Sequence, residues 1–274
     1  MPNPGVKLPS RSSAMHHHTF PNGSEISYSA HGGNLTCWKT ASGEEVLFLS
    51  ELAEHGPGKA IRGGVPVIFP QFSDHGSFSR HGFARKVAWQ DHGPACLTLR
   101  SADQPSTEWQ NDFELGIHFH AEAETLRIDL EVSNTGKEAW SFQAALHTYL
   151  QVGDVMEAKV TGLEGFPFHD EATKEMRSGE SSPITFGSEI DRSYRDTREK
   201  AIHLIDVDRT ISVTATGFPD AVVWNPGPDH GIGDLAEEGW RKFVCIESAL
   251  LGDGLTLSSG ETVSLQQTIR VATK

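Results

Sequence analysis

Hydrophobic residues recur at every second position over long parts of the chain. In LRIDLEV, Leu126, Ile128, Leu130 and Val132 fall on one face, and Arg127, Asp129 and Glu131 on the other. Near the C-terminus Val263, Leu265, Ile269 and Val271 alternate with Ser264, Gln266, Thr268 and Arg270. Successive side chains of an extended chain point to opposite sides. Such alternation therefore predicts antiparallel strands with one buried face. Shorter stretches of the same character are EISYSA, LTCWKT, EVLFLS, ACLTLRS, FELGIHFHAE, WSFQAALHTYLQV, IHLID, TISVTAT and AVVWN.

Turn chemistry separates these stretches, as in Asn134-Thr135-Gly136, Asn225-Pro226-Gly227 and Gly252-Asp253-Gly254. Helical periodicity reaches at most a turn or two, in DLAEEGWRKF. Many short strands joined by Gly/Pro turns predict an all-β fold, a large antiparallel sandwich or barrel. No Pro/Ser-rich linker, low-complexity tract or fixed repeat divides the chain. The expectation is one domain over residues 21–274, preceded by a mobile tail over residues 1–20.

Charge and composition narrow the function classes. The 274 residues carry 23 Lys+Arg against 37 Asp+Glu, a formal charge of -14. A surface of that sign disfavours nonspecific nucleic-acid or anionic-membrane binding. No apolar run approaches the length of a membrane span, and the N-terminus lacks a signal-peptide core, so a cytoplasmic protein is expected. Cys37, Cys96 and Cys245 are odd in number and form no CxxC pair; their apolar flanks suggest buried free thiols. The sequons at Asn22 and Asn34 matter only in a secreted protein.

Against this acidic background the segment IRGGVPVIFPQFSDHGSFSRHGFAR, residues 61–85, gathers Arg62, Arg80, His81 and Arg85 among glycines and prolines. A glycine pair lets backbone approach a ligand, and guanidinium forks suit phosphate or carboxylate. The alternative is that these arginines pair with surplus surface acids. His147 lies in the apolar AALHTYL, where a hydrogen-bonded core histidine is the commoner outcome. Glu247 interrupts the apolar run FVCIESAL. A buried carboxylate there is either paired, with Lys242 or Arg241, or raised in pKa as a general base. His118 and His120 share a strand face at i, i+2 but lack a third metal ligand, and His16, His17 and His18 fall in the expected tail. No GxGxxG, P-loop, HExxH or GxSxG occurs.

Taken in order, IRGGVPVIFPQF, RHGFAR, AALHTYL, VVWNP and FVCIESA resemble the glucose-6-phosphate 1-epimerases of the aldose 1-epimerase superfamily, over roughly residues 24–271. The resemblance implies a galactose-mutarotase-like antiparallel β-supersandwich with a sugar cleft on one sheet face. It implies His147 and Glu247 as the acid/base pair, and substrate contacts from Arg62, Arg85, Asp191 in EIDRSY and, more loosely, His81. Two departures stand out. Arg80 replaces a common Gln before HGFAR, exchanging a neutral sugar contact for a cation that can add phosphate affinity. WNPGPDHGIGDL replaces WNPW and a lysine-containing loop, which removes an aromatic at Gly227.

The expected reaction is exchange of α and β anomers of a hexose 6-phosphate. Glu247 as carboxylate would take the C1 hydroxyl proton while His147 as imidazolium protonates the ring oxygen. No metal or organic cofactor is expected, because proton transfer alone forms the aldehyde. The expected partner is a sugar phosphate, with no nucleic acid and no membrane, and the protein is expected to be a monomer. The competing readings are a neutral-aldose 1-epimerase and a non-catalytic carbohydrate-binding protein of the same fold.

Overall fold

The computed structural model describes residues 15–103, 109–197 and 200–274. Strands Met15–Thr19 (β1), Glu25–Ser29 (β2) and Asn34–Lys39 (β3) form a small antiparallel sheet. There follow Val67–Ile68 (β4), Gln90–Asp91 (β5), Cys96–Arg100 (β6), Phe113–Glu122 (β7) and Thr125–Asn134 (β8). Trp140–Leu146 (β9), Tyr149–Gln151 (β10), Lys159–Thr161 (β11), Phe168–Asp170 (β12) and Glu175–Arg177 (β13) come next. Ile184–Thr185 (β14), Ile190–Tyr194 (β15), Ile202–Ile205 (β16) and Arg209–Thr216 (β17) lead to Asp220–Asn225 (β18). The long strands Phe243–Leu257 (β19) and Thr262–Thr273 (β20) close the chain.

Two large antiparallel sheets result. One runs β14-β11-β16-β17-β20-β8-β7-β6-β5, and the other β13-β12-β15-β18-β19-β9-β4, with β10 also paired to β19. The first sheet owes its shape to the alternation that was legible in the sequence. Leu126, Ile128, Leu130 and Val132 are fully buried, and Leu265 and Ile269 join them on β20. They pack with Trp140, Phe142, Ala144, Leu146, Val244, Ile246 and Leu250 of the second sheet in one continuous core. The architecture is all-β and layered, as expected.

At its centre, along residues 243–250 of β19, the second sheet is buried on both sides. Along β19, Val244, Ile246 and Leu250 face the shared core, whereas Phe243, Cys245 and Ala249 belong to separate apolar clusters on the other face. Glu247 lies on that other face between Cys245 and Ala249. Loops cover it, so the start of β19 reads as an apolar run interrupted at Glu247 and Ser248 and not as an alternating one.

Several local expectations change. Met15–Thr19, assigned to the mobile tail, is a strand paired residue by residue with β2, while residues 1–14 lie outside the described residues. EVLFLS is no continuous strand: Glu45, Leu47 and Leu49 each bridge a different segment, at Lys39, Leu150 and Gly63. DLAEEGWRKF yields one 3-10 turn over Gly239–Lys242. Strands β11 to β14 have two or three residues each, too short for periodicity to be visible.

Candidate active site

Strand register brings together residues a hundred positions apart. Leu146 of β9 lies opposite Ser248, and Tyr149 of β10 opposite Cys245. The same register carried across residues 147 and 148 sets His147 opposite Glu247. Directly opposed residues in antiparallel strands share a face. Here they meet, with 3.4 Å between His147 Nε2 and Glu247 Oε1. Their relative exposures are 6% and 2%. The His147 amide donates to the Pro66 carbonyl at 3.0 Å, which fixes the strand at this point. The ring stacks on Tyr149 at 4.9 Å between centroids and stands edge-on to Trp224 at 5.7 Å.

The structural partners considered for Glu247 are engaged elsewhere. Arg241 pairs with Asp154, and Lys242 donates to the Gly153 carbonyl at 2.9 Å. Glu247 Oε2 and His147 Nδ1 are buried without a hydrogen-bond partner. Burial pushes the Glu247 carboxyl well up, and Asp191 adds to this while Arg85 opposes it. Burial also pushes the His147 imidazole well down, reinforced by Arg85 and Arg62. Both shifts favour the uncharged forms of the two side chains, and desolvation is the main cause of each.

The pair lies at the bottom of a cleft of about 400 Å³, whose lining includes all seven residues singled out from the sequence: Arg62, Arg80, His81, Arg85, His147, Asp191 and Glu247. Segment 61–85 folds over the sheet face because its glycines permit a close approach. Gly64 and Gly82 both have φ of +66°, and a Cβ on either would run into a main-chain oxygen, that of Leu35 or Phe69 respectively. His81 Nδ1 accepts the Ser73 amide at 3.2 Å, which leaves its Nε2 to carry the proton. Burial and then Arg85 hold His81 well below its usual pKa, so it is a neutral donor.

The three arginines are in different situations. Arg62 donates from Nε to Asp234 Oδ1 at 3.1 Å and from Nη1 to the Tyr149 hydroxyl at 3.0 Å. Arg80 stands at the mouth with a 60% exposed side chain, 3.6 Å from Asp74. Arg85 is half-buried, and its enclosed Nε has no hydrogen-bond partner. It donates from Nη2 to the Arg80 carbonyl at 3.3 Å, and among the described residues it pairs with no carboxylate. Burial lowers its pKa to about 10. A surface ion-pair role is therefore excluded for Arg85. Its charge faces the cleft.

The opposite wall is acidic. Asp191 lies opposite Trp224 on β18, as Val222 lies opposite Glu247 on β19, which puts Asp191 on the cleft face. Burial, with Glu171 and Glu189 nearby, raises its carboxyl to about 7. Glu171 is anchored by His169 at 3.0 Å and Lys174 at 3.2 Å. A ligand bound here would meet cations at one side, carboxylates at the other, and the His147–Glu247 contact beneath.

The family model described as aldose 1-epimerase matches residues 16–270. The chain belongs to the aldose 1-epimerase family. It is an isomerase. Among its relatives, a Cenchrus ciliaris protein provisionally named glucose-6-phosphate 1-epimerase is 35% identical, over 84% of this chain and 76% of its own length. An Escherichia coli K12 protein of the same provisional name is 34% identical, over 90% of this chain and 87% of its own. The crystal structure of a Salmonella typhimurium protein provisionally described as a mutarotase superposes with a TM-score of 0.81 at 31% identity. It covers 92% of this chain and 88% of its own. The fold is that of the mutarotases.

Other residues of the epimerase stand apart from the expectations. His118 and His120 lie on β7 of the nine-stranded sheet, away from the cleft, and His120 contacts Asp129 at 3.2 Å. His16, His17 and His18 lie on β1, where His16 approaches Asp91 at 3.0 Å. All three cysteines are free, but only Cys245 is fully buried; Cys37 and Cys96 are half-buried. Sequence reasoning overlooked Tyr149, Trp224 and Asp234 as site residues, although the first two sit inside the motifs AALHTYL and VVWNP. Asp234 had no signal, because only folding carries its loop to Arg62.

Proposed function

We propose that the epimerase interconverts the α and β anomers of a hexose 6-phosphate, with glucose 6-phosphate as the first candidate. The observation that carries this reading is Arg85, a cleft-facing guanidinium with no carboxylate partner, above the 3.4 Å His147–Glu247 contact. A half-buried cation without an ion-pair partner is left poorly compensated, and a phosphate would supply a counter-ion. Arg62 would add a second contact, already oriented by Asp234 and Tyr149. Asp191 and His81 would hold sugar hydroxyls, and Arg80 at the mouth would add long-range attraction.

His147 and Glu247 would exchange protons with the sugar. One takes the C1 hydroxyl proton as the other gives a proton to the ring oxygen. The C1–O5 bond breaks, the aldehyde forms, and rotation about C1–C2 presents its other face. Ring closure returns both protons with the roles exchanged, so the protein ends unchanged. Phosphate on Arg85 and Arg62 would also offset two of the charges that disfavour imidazolium at His147. The test is anomer exchange measured with glucose 6-phosphate and with glucose. Exchange much faster for the phosphorylated sugar is expected. Equal rates would favour a neutral-aldose epimerase, and no exchange of either would favour a binding protein.

A further inference from the structure

Gln267 breaks the alternation that otherwise makes β20 apolar toward the core: Leu265 and Ile269 flank it on the same face, and it is 0% exposed. An amide buried among aliphatic side chains is unfavourable unless bonded, and this one is bonded on both sides. Thr148 Oγ1 donates to Gln267 Oε1 at 2.6 Å, and Gln267 Nε2 donates to Ser248 Oγ at 2.9 Å. Thr148 and Ser248 are themselves buried. They directly follow His147 and Glu247. Side chains alternate across a strand, so as one residue of each pair faces the cleft, its neighbour faces the core. The Thr148–Gln267–Ser248 bridge thus joins, from beneath, the same two strands that carry the candidate pair above.

We infer that Gln267, reaching across from the opposite sheet, is a positioning residue that sets the separation of His147 and Glu247. This inference rests on the acid/base reading of that pair. The chain needs such a tie where it sits. Residues 147 and 148 interrupt the strand between β9 and β10, and the Thr148 amide turns back to the Leu146 carbonyl at 3.0 Å instead of bonding to β19. The ladder there keeps the Ile246 amide donating to the Thr148 carbonyl at 3.1 Å. The side-chain bridge adds a second constraint where the strand between β9 and β10 is interrupted. Because Gln267 touches no cleft residue, its removal should alter turnover and not substrate affinity.

Three variants test this. Gln267→Met keeps an unbranched side chain of similar length and removes both hydrogen bonds. Thr148→Val/Gln267→Met/Ser248→Ala also removes the hydroxyls left unpaired, which restores an apolar interior. Glu247→Gln reports on the acid/base reading itself. Anomer exchange of glucose 6-phosphate and thermal unfolding are measured for each. Displacement of a reacting group by a fraction of an ångström to 1 Å lowers rates by up to about 100-fold, so kcat should fall about 10–100-fold in both Gln267 variants. KM should stay within about threefold, since uniform binding is untouched. The triple variant should recover melting temperature relative to Gln267→Met without recovering kcat. A triple variant with both stability and kcat at wild-type level would overturn the proposal, as would a rise in KM with kcat unchanged. Wild-type exchange by Glu247→Gln would instead show that the acid/base reading itself has failed.

Discussion

A half-buried guanidinium with no ion-pair partner is poorly compensated for the water it loses. Arg85 is such a group, whereas Arg62 is compensated by Asp234 and Tyr149. Substituting Arg85 should therefore separate stability from function. Arg85→Met should raise the melting temperature slightly, because a half-buried charge with no ion-pair partner is replaced by an apolar side chain. It should also raise KM for glucose 6-phosphate more than it lowers kcat. A charge-assisted hydrogen bond contributes roughly 1.5–3 kcal/mol, so kcat/KM should drop on the order of 10–100-fold. Turnover of unphosphorylated glucose should scarcely change. Arg80→Gln, at the exposed mouth, should have a much smaller effect on the same ratio, since solvent screens its charge. Equal loss for both sugars in Arg85→Met would place the phosphate contact elsewhere.

At the scale of elements, the candidate site is a consequence of strand register. His147 and Glu247 could each be singled out as polar residues within apolar runs, but their apposition was invisible. It depends on β9, β10 and β19 pairing so that residue numbers on opposite strands match across a gap. The loop after β18 shows the reverse case, where a local sequence departure has a local structural meaning. Gly227 has φ of +68°, and a Cβ there would lie 2.6 Å from the Glu189 amide nitrogen. An aromatic at this position, as in WNPW, is incompatible with this backbone: the loop lies directly on the start of β15. Gly227→Ala should lower the melting temperature by several degrees, combining positive-φ strain with the overlap, at roughly 1–3 kcal/mol. Gly233→Ala in the same loop has open space around its Cβ and should be near neutral. Matching melting temperatures for the two variants would show that the loop yields freely at Gly227.

At the scale of the whole molecule, the acidic wall couples the cleft to global stability. Asp191 holds its proton up to about pH 7 in the folded chain, through burial and the neighbouring Glu171 and Glu189. The unfolded chain releases that proton in the ordinary carboxylate range. Between the two values the folded state binds more protons, so stability from this group is full at low pH and lost as pH rises toward about 7. Asp191→Asn removes the dependence. Its melting temperature relative to wild type should become more favourable from about pH 5 to about pH 8. A difference constant across that range would show that Asp191 titrates as an exposed carboxylate.

The sequence alone determined the all-β class, the alternating strands β7, β8, β17 and β20, and the polar residues embedded in apolar runs. Those features follow from period-two burial and from the unfavourable burial of unpaired charge, both of which are local. It could not determine that β19 is covered on both faces, that Met15–Thr19 pairs with β2, or that EVLFLS is a series of bridges. Only tertiary structure decides how sheets stack and which edges find partners. It also decided which arginine lacks a counter-ion, because Arg62 and Asp234 lie 172 positions apart and meet only in the fold. The Gln267 bridge belongs to the same class. A glutamine in a strand could be read from the sequence, but its tie to Thr148 and Ser248 exists only where two sheets close on one another.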